Sequence, residues 1–244
     1  MGAQVRVCFL PSEIDPEVLQ SSSALVIDLL RASTTICRAL SSGARDVIPV
    51  ETPGKAQELR NSIGRDGVLL GGERQGVIIE GFDLGNSPAE YLPERVVGKS
   101  IIFCSSNGSG ALLAAGDAPR LAIAGLVNAA AAVEWLVAAP GDVLLVCSGQ
   151  TGRFSAEDAA CAGYLASRLV RRGLSPGNDA ARAAILVAAE AGDHWQAFLE
   201  HTDHGRYLIS LGFGPDLSTA AAVDSLPLVP EWNAGRVVYS SGGR

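Results

Sequence analysis

Short apolar runs, nearly free of polar interruption, set the first constraint on this chain. They fall at 24–30 (ALVIDLL), 47–50, 68–70, 101–104, 121–124 and 143–147. Runs of this length, without the polar alternation of a half-exposed strand, are what strands covered on both faces look like. Helical periodicity occupies many of the intervals. Alternation of strand with helix predicts a three-layer α/β/α fold around a largely parallel or mixed sheet. The 244 residues, 48% of them hydrophobic, suffice for a continuous core. No long linker or low-complexity tract divides them, so one domain over 1–244, or two tightly fused similar halves, is expected.

A weak internal echo supports the second organisation. Residues 24–50 run strand, polar turn, short helix, Gly-Ala, strand; residues 101–125 repeat that order, and 143–169 open a third unit in the same style. Each unit delivers small hydroxyl, Asn and Gly residues from a strand end to a helix start. Ligands of open α/β sheets bind outside the carboxyl ends of strands, where helix N-termini favour anions. Three such turns converging on one cleft would suit a small polyanion.

Other classes are disfavoured. The net charge of -7 is spread thinly, without the basic footprint of a nucleic-acid binder. The five cysteines are odd in number, lie in apolar segments and show no zinc-site spacing, which suits the reducing cytoplasm. The N-terminus lacks the apolar stretch of a signal peptide. The segment 121–140 has membrane-like length, but Asn128 and Glu134 interrupt it, and a central charge costs on the order of 2.5–3.5 kcal/mol on insertion. It reads as a buried strand followed by a buried helix, so no membrane partner is expected. Homo-oligomerisation is left open.

Chemistry concentrates in a few strings. Asp28 ends an apolar strand, and Arg31, Ser33, Thr34 and Thr35 precede or open a helix: the acid could hold a metal or attack phosphorus, the arginine could grip phosphate, and the same group could equally be an N-cap cluster with a structural Asp-Arg pair. Glu73 and Arg74 follow Gly71-Gly72. Asp83, Asn86 and Ser87 lie in a stretch with turn chemistry. Ser106, Asn107, Gly108 and Ser109 form a loop of the kind that cradles anions. Ser155 to Asp158 fit a capping box, leaving Arg153 over, and His204 could donate a proton to a leaving alkoxide.

Taken in order, DLLRASTT, GGER, GFDLGNSP, SSNGS, the stretch CSGQTGRFSAED with CAG after it, HG and the closing VDSLPLVP resemble the 2-phosphosulfolactate phosphatase family from about residue 25 to 230. The resemblance implies a Mg²⁺-dependent phosphatase that converts 2-phospho-3-sulfolactate to sulfolactate and phosphate, a step on one route to coenzyme M. It places Asp28, Arg31, Glu73, Arg74, Asp83, Asn86 and Asn107 in the site. Thr34, Thr35, Ser106, Gly108, Ser109, Arg153 and His204 are candidate substrate contacts, and Asp28 and Glu73 are the candidate Mg²⁺ ligands, because Mg²⁺ takes few carboxylates and keeps waters. The family's loop often carries arginine where this chain has Gly110, which removes one anion contact.

Two other readings compete. A non-catalytic binder of a phosphorylated or sulfonated acid would use the same arginines, but gains nothing from Asp28, Glu73 and Asp83 unless a cation neutralises them. A cysteine-nucleophile hydrolase would need a thiol paired with a histidine, and no string announces one. A Walker A glycine loop is missing, which argues against a P-loop nucleotide hydrolase.

Overall fold

The computed structural model describes residues 2–239. Its first half runs β1 (Gln4–Cys8), α1 (Pro16–Gln20), β2 (Ser22–Ile27), α2 (Ala32–Ser41), β3 (Asp46–Pro49), α3 (Pro53–Ile63), β4 (Val68–Arg74), β5 (Val77–Ile78), α4 (Pro93–Val96), β6 (Ser100–Cys104) and α5 (Gly108–Ala114). The second half runs β7 (Arg120–Ala124), α6 (Ala129–Val137), β8 (Asp142–Cys147), α7 (Ala156–Arg171), β9 (Ser175–Pro176), α8 (Asp179–Ala191), α9 (Trp195–His201), α10 (Asp203–Ser210), α11 (Gly214–Ala221), β10 (Glu231–Asn233) and β11 (Arg236–Val238). The strands form one mixed sheet in the order β5-β4-β6-β3-β11-β10-β7-β2-β8-β1-β9. This is a three-layer α/β fold.

Pairing divides the sheet into two parallel blocks. One is β4-β6-β3 and the other β7-β2-β8-β1-β9. The antiparallel hairpin β10–β11 lies between them, bridging β7 on one side and β3 on the other. The internal echo therefore takes an unexpected form. The units β2–α2–β3 and β6–α5–β7 do not lie side by side as halves: β2 pairs with β7, and β3 with β6, so each unit spans both blocks.

The apolar runs are explained by cover on both faces. In β2, Leu25 and Ile27 pack into a cluster with α6, α7 and α8, while Ala24 and Val26 point into another with α2 and α5. In β6, Ile101 and Phe103 join that second cluster, whereas Ile102 and Cys104 join a third beneath α3. The second cluster is thus shared by both blocks. The stretch at 121–140 is β7 followed by α6. Among the described residues no helix is long and apolar enough to cross a membrane. Asn128, fully buried, accepts from Gly125 N at 2.8 Å and donates to Ile123 O and Leu228 O, tying the closing segment to the end of β7.

All five cysteines are free and buried. Burial pushes the Cys8 thiol up to about 11 and raises those of Cys37, Cys104, Cys147 and Cys161 as well. None lines the principal cleft, and a thiol held protonated is a poor nucleophile. Cys147→Ala and Cys161→Ala are expected to lower stability by about 1 kcal/mol, in the range of a small core truncation, and to leave kcat near its original value. A folded variant that had lost several decades of kcat would reinstate the thiol mechanism.

Candidate active site

The principal cleft, about 290 Å³, opens where the carboxyl ends of strands from both blocks meet. Asp28 and Arg31 arrive after β2, Glu73 within β4, Ser106 and Asn107 after β6, and Gln150 and Thr151 after β8; Asn86 comes from the loop beyond β5, and His204 and Tyr207 from α10. The convergence follows from the shared apolar cluster, since α2 and α5 pack there together and both begin at the cleft.

Asp28 lies at the centre. Its Oδ1 accepts from Ala32 N at 3.1 Å, its own N–H donates to Ser33 Oγ at 2.9 Å, and 5% of it is exposed. Burial lifts its carboxyl from 3.8 to about 6; the charge of His204, the Ala32 N–H and the Ser148 hydroxyl oppose the rise, and Glu73 adds to it. A Cβ on Gly108 would fall 2.6 Å from Asp28 Oδ2, so only glycine lets the start of α5 come this close to the carboxylate. A second carboxyl stands behind the first. Asp158 accepts from Leu29 N at 2.8 Å, Ser148 Oγ at 3.0 Å and Gly149 N at 3.1 Å. Burial, and then the nearby charge of Asp28, push it well above the ordinary carboxyl range.

Glu73 is already engaged: Ser106 N and Oγ donate to it at 2.7 and 3.2 Å, and Gly76 N at 2.7 Å. One carboxylate thereby ties two cleft-forming loops together. His204 is oriented from behind, with Nδ1 3.0 Å from Glu157 Oε1, so Nε2 is the atom available to a ligand. Asn107 Oδ1 accepts from Thr151 N at 2.9 Å. Asn86 Oδ1 is buried without a hydrogen-bond partner among the described residues.

Asp28, Arg31, Glu73, Asn86, Ser106, Asn107 and His204 are brought together in the cleft lining; the other candidates are not. Thr34 and Thr35 are fully buried and turn their hydroxyls to Leu29 O at 3.0 Å and Asn86 O at 2.8 Å. Ser109 sits inside the loop, bonded to Ser105 N and Phe103 O. Arg74 donates to Glu51 O and Cys104 Sγ, and Asp83 accepts from Leu70 N and Arg60. Both therefore fasten the loops around β4 instead of facing the cleft. Gly108 supplies close approach at the cleft edge, and exposed Arg153 closes by its backbone the turn that carries Gln150 and Thr151.

Several contributors are invisible in the local strings. Ser155 does cap α7, accepting from Asp158 N at 3.2 Å. The side chains of Glu157 and Asp158, which look like first-turn acids, instead reach His204 and Leu29 N. Asp216 and Ser87 reach the cleft through Arg31. An acid doublet in an otherwise apolar helix face was the available signal.

A polar cleft at strand ends, with buried acids beside an arginine and a braced histidine, defines an α/β enzyme of acid–base and anion chemistry. The profile of the family described as 2-phosphosulpholactate phosphatase matches residues 8–235. Proteins described as "Probable 2-phosphosulfolactate phosphatase" are similar along most of the chain. That of Thermotoga petrophila is 40% identical over 212 residues, covering 87% of this chain and 89% of its own. That of Clostridium perfringens SM101 is 38% identical over 244 residues, covering 98% of each. That of Caldanaerobacter subterraneus subsp. tengcongensis is 35% identical over 226 residues, covering 93% and 94%. The chain belongs to the 2-phosphosulfolactate phosphatase family, and with it to the phosphoric monoester hydrolases.

Proposed function

We propose that this chain hydrolyses 2-phospho-3-sulfolactate, or a closely related 2-phospho-hydroxy acid, to the hydroxy acid and phosphate, with Mg²⁺ as cofactor. The observation that carries the reading is the unsatisfied, buried Asn86 Oδ1 in the same cleft as Asp28, Arg31 and His204. A buried amide oxygen without a donor costs free energy unless a ligand satisfies it. Among the described residues no cluster of three or more His, Cys, Asp or Glu is built for a metal. Mg²⁺ does not need one, because it binds through one or two carboxylates plus waters and substrate phosphate oxygens. Asp28 and Asn86 Oδ1 fit that set, with Glu73 limited by the three donors it already accepts. When bound, the ion would neutralise phosphate charge and act as a Lewis acid.

The chain's own residues account for the rest. Arg31 has one N–H of each terminal nitrogen committed, to Asp216 and to Gly76 O; its remaining N–H groups would meet a phosphate oxygen and stabilise charge as it builds on the transferring group. His204, braced by Glu157, delivers a proton from Nε2 to the leaving alkoxide oxygen. Asn107 and Gln150 would offer their side-chain amide N–H groups to the carboxylate and sulfonate end, while Ser106 and Thr151, whose donors are held by Glu73, Asn107 and Gln150 O, shape that side of the cleft. A cytoplasmic role on a route to coenzyme M goes with this substrate. Phosphate release measured over a panel of phosphomonoesters, 2-phosphoglycerate and p-nitrophenyl phosphate among them, is expected to give the highest kcat/KM on 2-phospho-3-sulfolactate. Equal turnover of esters without the carboxylate would overturn the substrate assignment.

A further inference from the structure

Arg31 is more tightly fixed than a phosphate-gripping arginine requires. Its side chain is 2% exposed. Nη1 donates to Asp216 Oδ2 at 2.9 Å, Nη2 donates to Gly76 O at 2.6 Å, and the guanidinium lies 4.1 Å from the centre of the Phe213 ring. Asp216 does not stop there. Its Oδ1 accepts from Ser87 Oγ at 2.6 Å, and Ser87 follows Asn86, the residue with the unsatisfied oxygen. We propose that Asp216 is a positioning residue of the active site, one carboxylate that orients the Arg31 fork and, through Ser87, sets the loop that presents Asn86. The proposal rests on the phosphatase reading given above.

Stability alone does not explain the arrangement. Asp216 lies in the first turn of α11, where an exposed acid would already complement the helix dipole. Here it is 3% exposed instead, and a buried ion pair surrenders hydration that well-packed apolar residues would not have to give up. The bidentate use of its two oxygens fixes direction. It also joins the covering helices of the C-terminal third to the β2 end of the cleft, across 185 residues of sequence.

The test is a double-mutant cycle on the full chain with Mg²⁺, using Asp216→Asn, Asp216→Ala, Ser87→Ala, Arg31→Lys and the Asp216→Asn/Arg31→Lys pair. Phosphate release and melting curves are recorded for each. If Asp216 acts through Arg31, kcat falls about 10-fold in Asp216→Asn and about 100-fold in Arg31→Lys, and the double variant is no worse than Arg31→Lys by more than about 2-fold. Additive losses, or near-normal kcat in a folded Asp216→Asn, would overturn the proposal. Asp216→Asn and Asp216→Ala both remove the counter-charge of the buried arginine, but Asn keeps an amide oxygen to accept from it; Asp216→Ala loses that acceptor as well and is the variant that risks not folding, while Asp216→Asn and Ser87→Ala keep the question answerable. Binding of inorganic phosphate separates the two readings: if the unaltered chain releases no phosphate from any ester yet binds inorganic phosphate, and Asp216→Asn weakens that binding about 10-fold, the phosphatase reading fails while the positioning role stands. Unchanged phosphate binding in Asp216→Asn would count against Asp216.

Discussion

Asp28→Asn is expected to lower kcat by about 1,000-fold, a loss of roughly 4 kcal/mol, and at the same time to stabilise the metal-free protein at pH 8. Both follow from one carboxylate kept in a place that disfavours its charge. Folding raises the Asp28 carboxyl from 3.8 to about 6, chiefly by burial. The stability contributed by its neutral form is therefore complete below about pH 4 and is lost as the pH rises through about 6. At pH 8 the native carboxylate bears the full penalty, on the order of 3 kcal/mol. Asn carries no charge to bury, so its melting temperature should exceed that of the unaltered chain at pH 8 and converge with it near pH 4. A variant that melts lower at pH 8 and still turns over substrate would show Asp28 to be a structural cap and nothing more.

Removal of metal is expected to have an effect at least as large. Protein stripped with a chelator and assayed in metal-free buffer should retain less than about one-thousandth of its phosphatase activity, and Mg²⁺ should restore it. The proposed substrate would bring a phosphate and two further acidic groups into a cleft lined by Asp28 and Glu73. Arg31 shares its charge with Asp216, and His204 Nδ1 is held by Glu157. The arginine in the cleft lining is therefore partly neutralised, and on the proposed mechanism Mg²⁺ would supply several kcal/mol of further neutralisation. Full activity in thoroughly chelated protein would remove Mg²⁺ from the mechanism. Restoration by Mg²⁺ in the unaltered chain but not in Asp28→Asn would tie the ion to this carboxylate.

The six apolar runs, which fall in β2, β3, β4, β6, β7 and β8, were legible because these strands are covered on two faces, whereas β5, β9, β10 and β11 are two or three residues long and largely exposed and left no such run. Leu25 and Ile27 serve one core cluster while Ala24 and Val26 serve another. The cap at Ser155 was legible for a different reason: its partner is three residues away. Thr34 and Thr35 show the limit of local reasoning. Hydroxyls at a helix start resemble an anion site, yet their partners are Leu29 O and Asn86 O, which depend on how distant loops pack. The same holds for Asp158, bonded to Leu29 N across 129 residues, and for Asp216. Asp158 is marked only by standing in an acid doublet on an otherwise apolar helix face, and Asp216 looks like any first-turn acid of a solvated helix. Members of each ordered motif lie in or around the cleft; which of them face inward is decided by tertiary contacts.

The β10–β11 hairpin has a consequence for the order in which the molecule assembles. Every other strand precedes it in sequence, yet it lies between β3 and β7, and its bridges to them are what make the two blocks one sheet. A growing chain therefore finishes both blocks while each still displays a row of unshared amide and carbonyl groups along the side that will meet the hairpin. Until that closing piece arrives, β3 and β7 are open templates for a strand from another molecule. The interval of greatest exposure to misassembly thus falls between β9 and the hairpin, when nearly all of the apolar core of the described residues has already been made.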